Sequence, residues 1–298
     1  MHTPNERALR SRDDKIFDAV VYGITVVLMV LVGYPLLFVV SASFSNPVDV
    51  IEGRVWLLPQ GFTLEPYKLV FDNKQIWNGY ANTVFYTAAG TLINLVLTVL
   101  AAYPLSRKDL PGRQFLMFFV TFTMFFSGGL IPTYLLVKDL GMINTVWAML
   151  LPGAIATYNL IVMRSFFQNS IPYELQESAW MDGCSFFRML WSVILPLSKP
   201  ILAVMVLFYA VGHWNAYFNA LIYLKDRDLF PLQLILREIL ILGQDDMTGG
   251  DAGMTERVMM AESIKYAVII VSSIPVLVLY PFIQRYFVKG VMIGSIKG

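Results

Sequence analysis

Apolar residues come in long blocks that charged side chains interrupt only at intervals. Uncharged stretches run from Gln75 to Ser106, Gln114 to Val137, Leu140 to Met163, Pro200 to Leu224 and Tyr266 to Gln284, and an earlier block has its apolar core at Val20–Val40. About 20 such residues suffice to cross a bilayer as a helix, whereas a barrel strand needs only about ten alternating ones. Backbone groups within lipid must bond inside their own segment, so blocks of this length predict helices. The pattern therefore predicts an all-α membrane protein of six spans, near 17–43, 79–105, 114–137, 143–167, 197–223 and 264–287. The intervals are too short for a separate soluble domain, which leaves residues 1–298 as one transmembrane domain.

Composition agrees: 57% of the 298 residues are hydrophobic and 14% are charged, against about 25% charged in ordinary soluble domains. An even number of spans puts both termini on one side. Arg7, Arg10, Arg12 and Lys15 before the first span place that side in the cytoplasm, N-in and C-in. Most of the 22 basic residues then fall in inner segments, with Arg107, Lys108 and Arg113, then Arg164, Arg188 and Lys199, then Arg285, Lys289 and Lys297. Trp77 and Trp147 at outer ends and Trp191 near an inner end suit interfacial anchors. The block at Val20–Val40 is too long for a signal-peptide core and lacks a small-residue cleavage site, so it is expected to be a retained first span.

Interruptions mark places of interest. Span three is broken by Gly128-Gly129 and Pro132, and non-helical backbone at membrane depth survives only where it faces protein or a water-filled cavity. The last outer loop, 225–262, ends in the acidic, glycine-rich stretch Gly243–Gly253. Its acids lack the alternating spacing of a calcium loop, so a solvated or partner-facing loop is expected and no metal site. Cys184, the lone cysteine, reads as a small packing residue with no disulfide or C-x-x-C partner.

The inner loop 170–196 is the longest cytoplasmic stretch and the least loop-like. Pro172 suits the first turn of a helix and Glu174 the positive end of its dipole, while Gly183 supplies the left-handed residue that ends it. Leu175, Ala179 and Met181 are available for burial, and Glu174, Glu177 and Asp182 for a partner. With three acids and no Lys or Arg from Pro172 to Gly183, anionic lipid would repel such a helix. A surface helix joined to a span can act as a lever that carries a push from a soluble protein into the membrane.

These residues carry a resemblance. Glu177-Ser178-Ala179, three residues, Gly183, nine residues and Val193-Ile194-Leu195-Pro196 resemble the EAA motif of permease subunits in type I ABC importers, departing at Ser178 for Ala and Val193 for Ile. The resemblance implies a cytoplasmic coupling helix that docks into an ATPase subunit, with Glu174, Glu177, Ser178, Ala179, Asp182 and Gly183 at the contact and turn. The C-terminal Gly290–Gly298 is similar to the tail of the maltose transporter's smaller permease, which implies that Gly294, Ser295 and Lys297 reach the ATPases. The whole layout resembles carbohydrate-uptake permeases of a bacterial cell membrane, most of all those serving oligosaccharides from complex polysaccharides. It implies a second homologous permease, two ABC ATPases, an extracytoplasmic solute-binding protein and an oligosaccharide cargo, with no nucleic acid.

No G-x-x-x-x-G-K-[ST] phosphate loop occurs, so this chain is expected to be no enzyme and to bind no cofactor, with ATP and Mg on the partner. Sugars are held by aromatic faces and uncharged polar groups, which singles out His213, Trp214, Asn215, Tyr217 and Asn219 in span five, Ser127 at the break of span three and Asn159 in span four. Asn215 and Asn219, four apart, would share a helix face. The same groups also serve as polar glue between helices. An ion-coupled secondary transporter of a small polar solute is the alternative, and the missing acids within the spans speak against it.

Overall fold

The computed structural model describes residues 12–245, 264–278 and 281. The proposed tail residues Gly294, Ser295 and Lys297, the end of span six and most of Gly243–Gly253 lie outside the described residues. Within them the chain is helical and holds no strand. It divides into two compact units, Met1–Asp72 with Ile239–Val271, and Asn73–Glu238 with Ser272–Gly298.

In the first unit α1 (Arg12–Ser43) carries the apolar block of span one, and none of its most apolar window is buried within the chain. Its buried residues, Ser41, Ala42 and Ser43, all fall in the last turn, where the loop that follows closes on it through hydroxyls. Ser41 Oγ donates to the Leu57 carbonyl at 2.6 Å and Tyr67 Oη donates to Ser43 Oγ at 2.9 Å. That loop holds α2 (Pro47–Ile51), started by Asn46, whose side chain accepts from the Val48 amide, and α3 (Glu65–Asp72).

The second unit is built around α4 (Lys74–Ser106), a 33-residue helix capped by Asn73 through the amides of Gln75 and Ile76. After a short reversal come α5 (Arg113–Phe125) and α6 (Leu130–Asp139), bent by 112° where Gly129 takes φ +86°. The break thus falls at the glycines singled out above, and Pro132 sits in the first turn of α6, where no amide is needed. Then follow α7 (Trp147–Leu150), α8 (Thr157–Ser170), α9 (Tyr173–Met181) and α10 (Phe186–Met189). A π-turn (Leu190–Ile194) and α11 (Leu195–Leu197) lead at an 84° bend into α12 (Lys199–Trp214). Next is α13 (Phe218–Tyr223), followed by α14 (Leu232–Asp245) and α15 (Ile264–Val278), each of which has part of its length in the first unit.

Among the described residues two helices, α1 and α4, are long and apolar enough to cross a membrane unaided, and two bent pairs raise that to four. Two predicted spans differ from the uninterrupted helices that the sequence suggested. Span four is non-helical between α7 and α8, across Leu151–Ala156, where Pro152 and Gly153 fall and Gly153 takes φ +75°. Span five stops at Trp214 and resumes at Phe218. A charge-free run measures hydrophobicity, which a broken helix satisfies as well as a straight one.

The main core joins α4, α8 and α12 to the segment between α8 and α12. Ala102 and Tyr103, Met163 and Phe167, and Met205 and Tyr209 meet Met189, Leu190 and Ile194 of the π-turn segment. Ala179 and Trp180 of α9, the segment expected to act as a lever, pack against the same core.

Candidate functional site

Helix α9 starts one residue later than expected, with Pro172 in extended geometry as its cap. It ends as the glycine predicted. Gly183 takes φ +72°, its amide donates to the Trp180 carbonyl at 2.9 Å, and the Cys184 amide donates to the Ala179 carbonyl at 2.9 Å. Those two bonds are the Schellman closure, which needs a residue free of Cβ strain at the left-handed position.

Its buried face is not the one expected. Leu175 is 41% exposed and Met181 88%, whereas Gln176 is 6% exposed and Ala179 and Trp180 pack against the core. Tyr173, Gln176 and Trp180 fall on one face by three- and four-residue steps, with Tyr173 edge-on to Trp180 at 6.4 Å. Two aromatic rings seven apart bury more surface than Leu175 and Met181, which point away from each other. The opposite face presents Glu174, Glu177, Ser178 and Asp182 to solvent beside the bare Met181. This acidic rim around an apolar knob has the makeup of a docking surface.

What holds the inner face of α9 is Arg107, the residue just past α4, which the sequence reading counted only as one more inner positive charge. Its side chain is 7% exposed. The guanidinium lies 4.3 Å from the Trp180 ring centroid and 4.7 Å from that of Phe186, so it touches both helices flanking the Gly183 turn. Nε and Nη2 donate to the two oxygens of Asp109 at 3.0 and 2.8 Å, and Nη1 donates to Tyr103 Oη at 3.4 Å. Burial works against the charged form, but the bonds to Asp109 and Tyr103 outweigh it and the guanidinium's pKa is raised. The same pairing holds the Asp109 carboxyl below its ordinary value. Such a contact is worth about 0.5–1 kcal/mol at an exposed ring such as Phe186 and up to about 2 kcal/mol at a desolvated one. No local signal could have found this cluster, since Trp180 is remote in sequence and an Asp two residues from an Arg is commonplace.

Two cavities flank the cluster. One of about 390 Å³ is apolar, walled by Leu100, Pro104, Leu110, Phe187 and Leu190. A smaller, polar one of about 210 Å³ lies at the start of α9 between Lys108, Gln168, Asn169 and Glu174, and Gln176 lines it with an Oε1 that is buried without a partner among the described residues.

The residues proposed for a transport path are brought together only in part. The helix break leaves Asn215 as the C-cap of α12, its Nδ2 donating to the Val211 carbonyl at 2.9 Å, while Asn219 lies on α13. The shared face expected of the two does not exist. Trp214 is buried, with Nε1 donating to the Ser272 carbonyl at 3.3 Å and its ring edge-on to Tyr80 at 5.8 Å. Asn159 is buried in α8, whereas Ser127 and Tyr217 are exposed. His213 is half-buried against α4, Nε2 3.1 Å from Asn94 Nδ2. Around it α4 turns a polar stripe, with Thr98 Oγ1 2.6 Å from Tyr209 Oη and the side-chain oxygens of Thr87, Thr91 and Asn94 buried without partners among the described residues. The sequence carries a signal for this stripe, since Thr87, Thr91, Asn94 and Thr98 recur at steps of four, three and four residues, but a search for charge-free blocks does not register it.

Residues 94–293 match the family described as "Binding-protein-dependent transport system inner membrane component". The chain belongs to that family. The permease is 43% identical over 288 residues to the polygalacturonan/rhamnogalacturonan transport system permease protein YtcP of Bacillus subtilis (strain 168), which covers 96% of this chain and 99% of the relative. It is 44% identical over 264 residues to protein LplC of the same organism, at 89% of each chain. Among solved structures, it matches a chain of a bacterial ABC transporter involved in the import of the acidic polysaccharide alginate with a TM-score of 0.86 and 34% identity, over 94% of this chain and 99% of that one. The permease is thus a membrane transport subunit of an ABC importer and not an enzyme, a class that works with ATPase and solute-binding partners. The ion-coupled alternative finds no support among these relatives.

Proposed function

We propose that this permease forms half of the translocation path for an oligosaccharide released from a polysaccharide. The cargo named for the 43% identical relative and for the structurally matched importer supports that reading. The remaining parts of the assembly are a second homologous permease, two ABC ATPase subunits and an extracytoplasmic binding protein. The permease itself needs no cofactor, since the phosphate loop belongs to the ATPases.

In this reading six spans run N-in and C-in, with the two bent pairs and the interrupted fourth and fifth runs counted as spans. Helix α9 is then cytoplasmic and is the coupling helix. Glu174, Glu177, Ser178 and Asp182 meet the ATPase, Ala179 seats the helix, and Gly183 fixes the turn. The break at Asn215–Tyr217, with Asn219, and that at Ser127 supply freed backbone and exposed polar and aromatic groups for a sugar, while His213, Trp214 and Asn159 support them from behind.

The observation that carries the coupling role is the arrangement of α9, with its acids and Met181 outward and Ala179 and Trp180 packed against the core that holds α4, α8 and α12. The test is reconstitution of the complex with its ATPases and binding protein, followed by ATP hydrolysis and uptake over a panel of oligogalacturonides, alginate oligomers and neutral oligosaccharides. Stimulation by at least one oligosaccharide class supports the proposal. Uptake by the purified permease alone, without ATP, would sink it.

A further inference from the structure

Movement of α9 has two covalent ways into the membrane. One passes back through Ile171 and Pro172 into α8, and the other passes forward through the Gly183 turn, α10, a π-turn and the 84° bend before α12. The forward way is compliant, since π-turns and sharp bends are places where a helix gives. A lever that drove α12 by that route alone would lose motion at each joint.

Arg107 bypasses those joints. It stands at the end of α4, and its guanidinium covers Trp180 on α9 and Phe186 on α10, which are themselves edge-on at 6.0 Å. The two-point pairing with Asp109 fixes the plane of the fork, so the stacking geometry is held and not merely permitted. Two neighbouring helices close on the same corner: Arg113 Nη1 donates to the Arg107 carbonyl at 3.3 Å from α5, and Arg164 Nε donates to the Leu105 carbonyl at 2.9 Å from α8.

Resting on the coupling role proposed for α9, we infer that Arg107 is a positioning residue that ties both sides of the coupling turn to α4, so that displacement of α9 moves α4 together with α12. The ion pair alone does not do this, because Asp109 lies on the same loop as Arg107. The rings do.

The reconstituted complex provides the test, with Arg107→Ala, Arg107→Lys and Trp180→Leu compared for co-purified ATPase and for ATP hydrolysed per cargo molecule delivered. Arg107→Ala is expected to retain the ATPases while ATP per cargo rises about fivefold to thirtyfold, the factor that loss of about 1–2 kcal/mol of ring contact implies. Arg107→Lys, which keeps the charge but has no plane to stack, recovers only part, and Trp180→Leu, which leaves the ion pair intact, reproduces the defect. An unchanged ratio in Arg107→Ala, or full recovery in Arg107→Lys, overturns the inference. Should Arg107→Ala fail to insert, Trp180→Leu decides, and a normal ratio there overturns it. A wild-type chain that captures no ATPase would instead defeat the coupling role itself, which separates the two failures.

Discussion

His213 on α12 sets its Nε2 3.1 Å from Asn94 Nδ2, and its ring lies over the bare Cα of Gly90 on α4. A Cβ at position 90 would run into the imidazole. The packing of α12 against α4 at this point therefore depends on a missing side chain. Gly90→Ala forces the ring away from Asn94 and is expected to cost about 1–3 kcal/mol, the usual range for overpacking. Thermal melting of the detergent-solubilised protein checks this. Gly90→Ala combined with His213→Ala should recover most of the loss relative to Gly90→Ala, because the second change removes the obstacle.

Gly183 presents the opposite case. A Cβ there would meet nothing within 4 Å, yet φ is +72°. Space is free and the backbone is not. Gly183→Val should cost about 1–2 kcal/mol or more through the left-handed geometry, distort the end of α9 and leave membrane insertion intact. Cargo-stimulated ATP hydrolysis in the complex is expected to fall, with Gly183→Ala less affected than Gly183→Val. Unchanged stimulation in Gly183→Val would remove the turn from the coupling account.

Asp109 gives a pH dependence with a definite sign. Its carboxyl is held below the ordinary value chiefly by the bonds from Arg107, so the folded state favours the ionised form. The stability it contributes is fully present above the unfolded value of about 3.9 and is lost as pH falls through the lower folded value. Melting temperatures of wild type and Asp109→Asn should differ at neutral pH and converge below about pH 4. A constant difference across that range would show that the carboxylate charge is not what matters.

Asn144 is the one non-glycine residue with positive φ among the described residues, at +59°. It accepts that geometry because its Oδ1 takes the amides of Lys225 and Asp226, both at 2.9 Å, while its own amide donates to the Tyr223 carbonyl at 2.8 Å. Asn144→Ala loses two exposed hydrogen bonds and adds left-handed strain, about 2–4 kcal/mol together. Asn144→Gly keeps the backbone relaxed and should lose about half as much. Protease sensitivity of the 139–147 and 224–230 segments would report the difference.

Local chemistry made parts of the site readable in advance. Pro172, Glu174 and Gly183 bounded α9 because caps and left-handed turns are decided within a few residues. Gly128, Gly129 and Pro132 located the break between α5 and α6 for the same reason. The face of α9 was misjudged because Leu175 and Met181 look apolar in isolation, whereas burial was settled by Arg107, far away in the chain. The pairing of Asn215 with Asn219 failed because it assumed an unbroken helix, and no residue from Asn215 to Tyr217 announces a stop as a glycine or proline would.

The sequence alone determined that this is a helical membrane chain with a short acidic segment after its fourth apolar block, since hydrophobic block length, charge placement and the residues at Glu177 to Pro196 are properties of consecutive positions. Only the tertiary structure decided which residues that segment leans on. Asn94 meets His213 because α4 lies alongside α12, and Arg107 meets Trp180 because the end of α4 comes next to α9; contacts between remote stretches follow from packing, which no local pattern encodes.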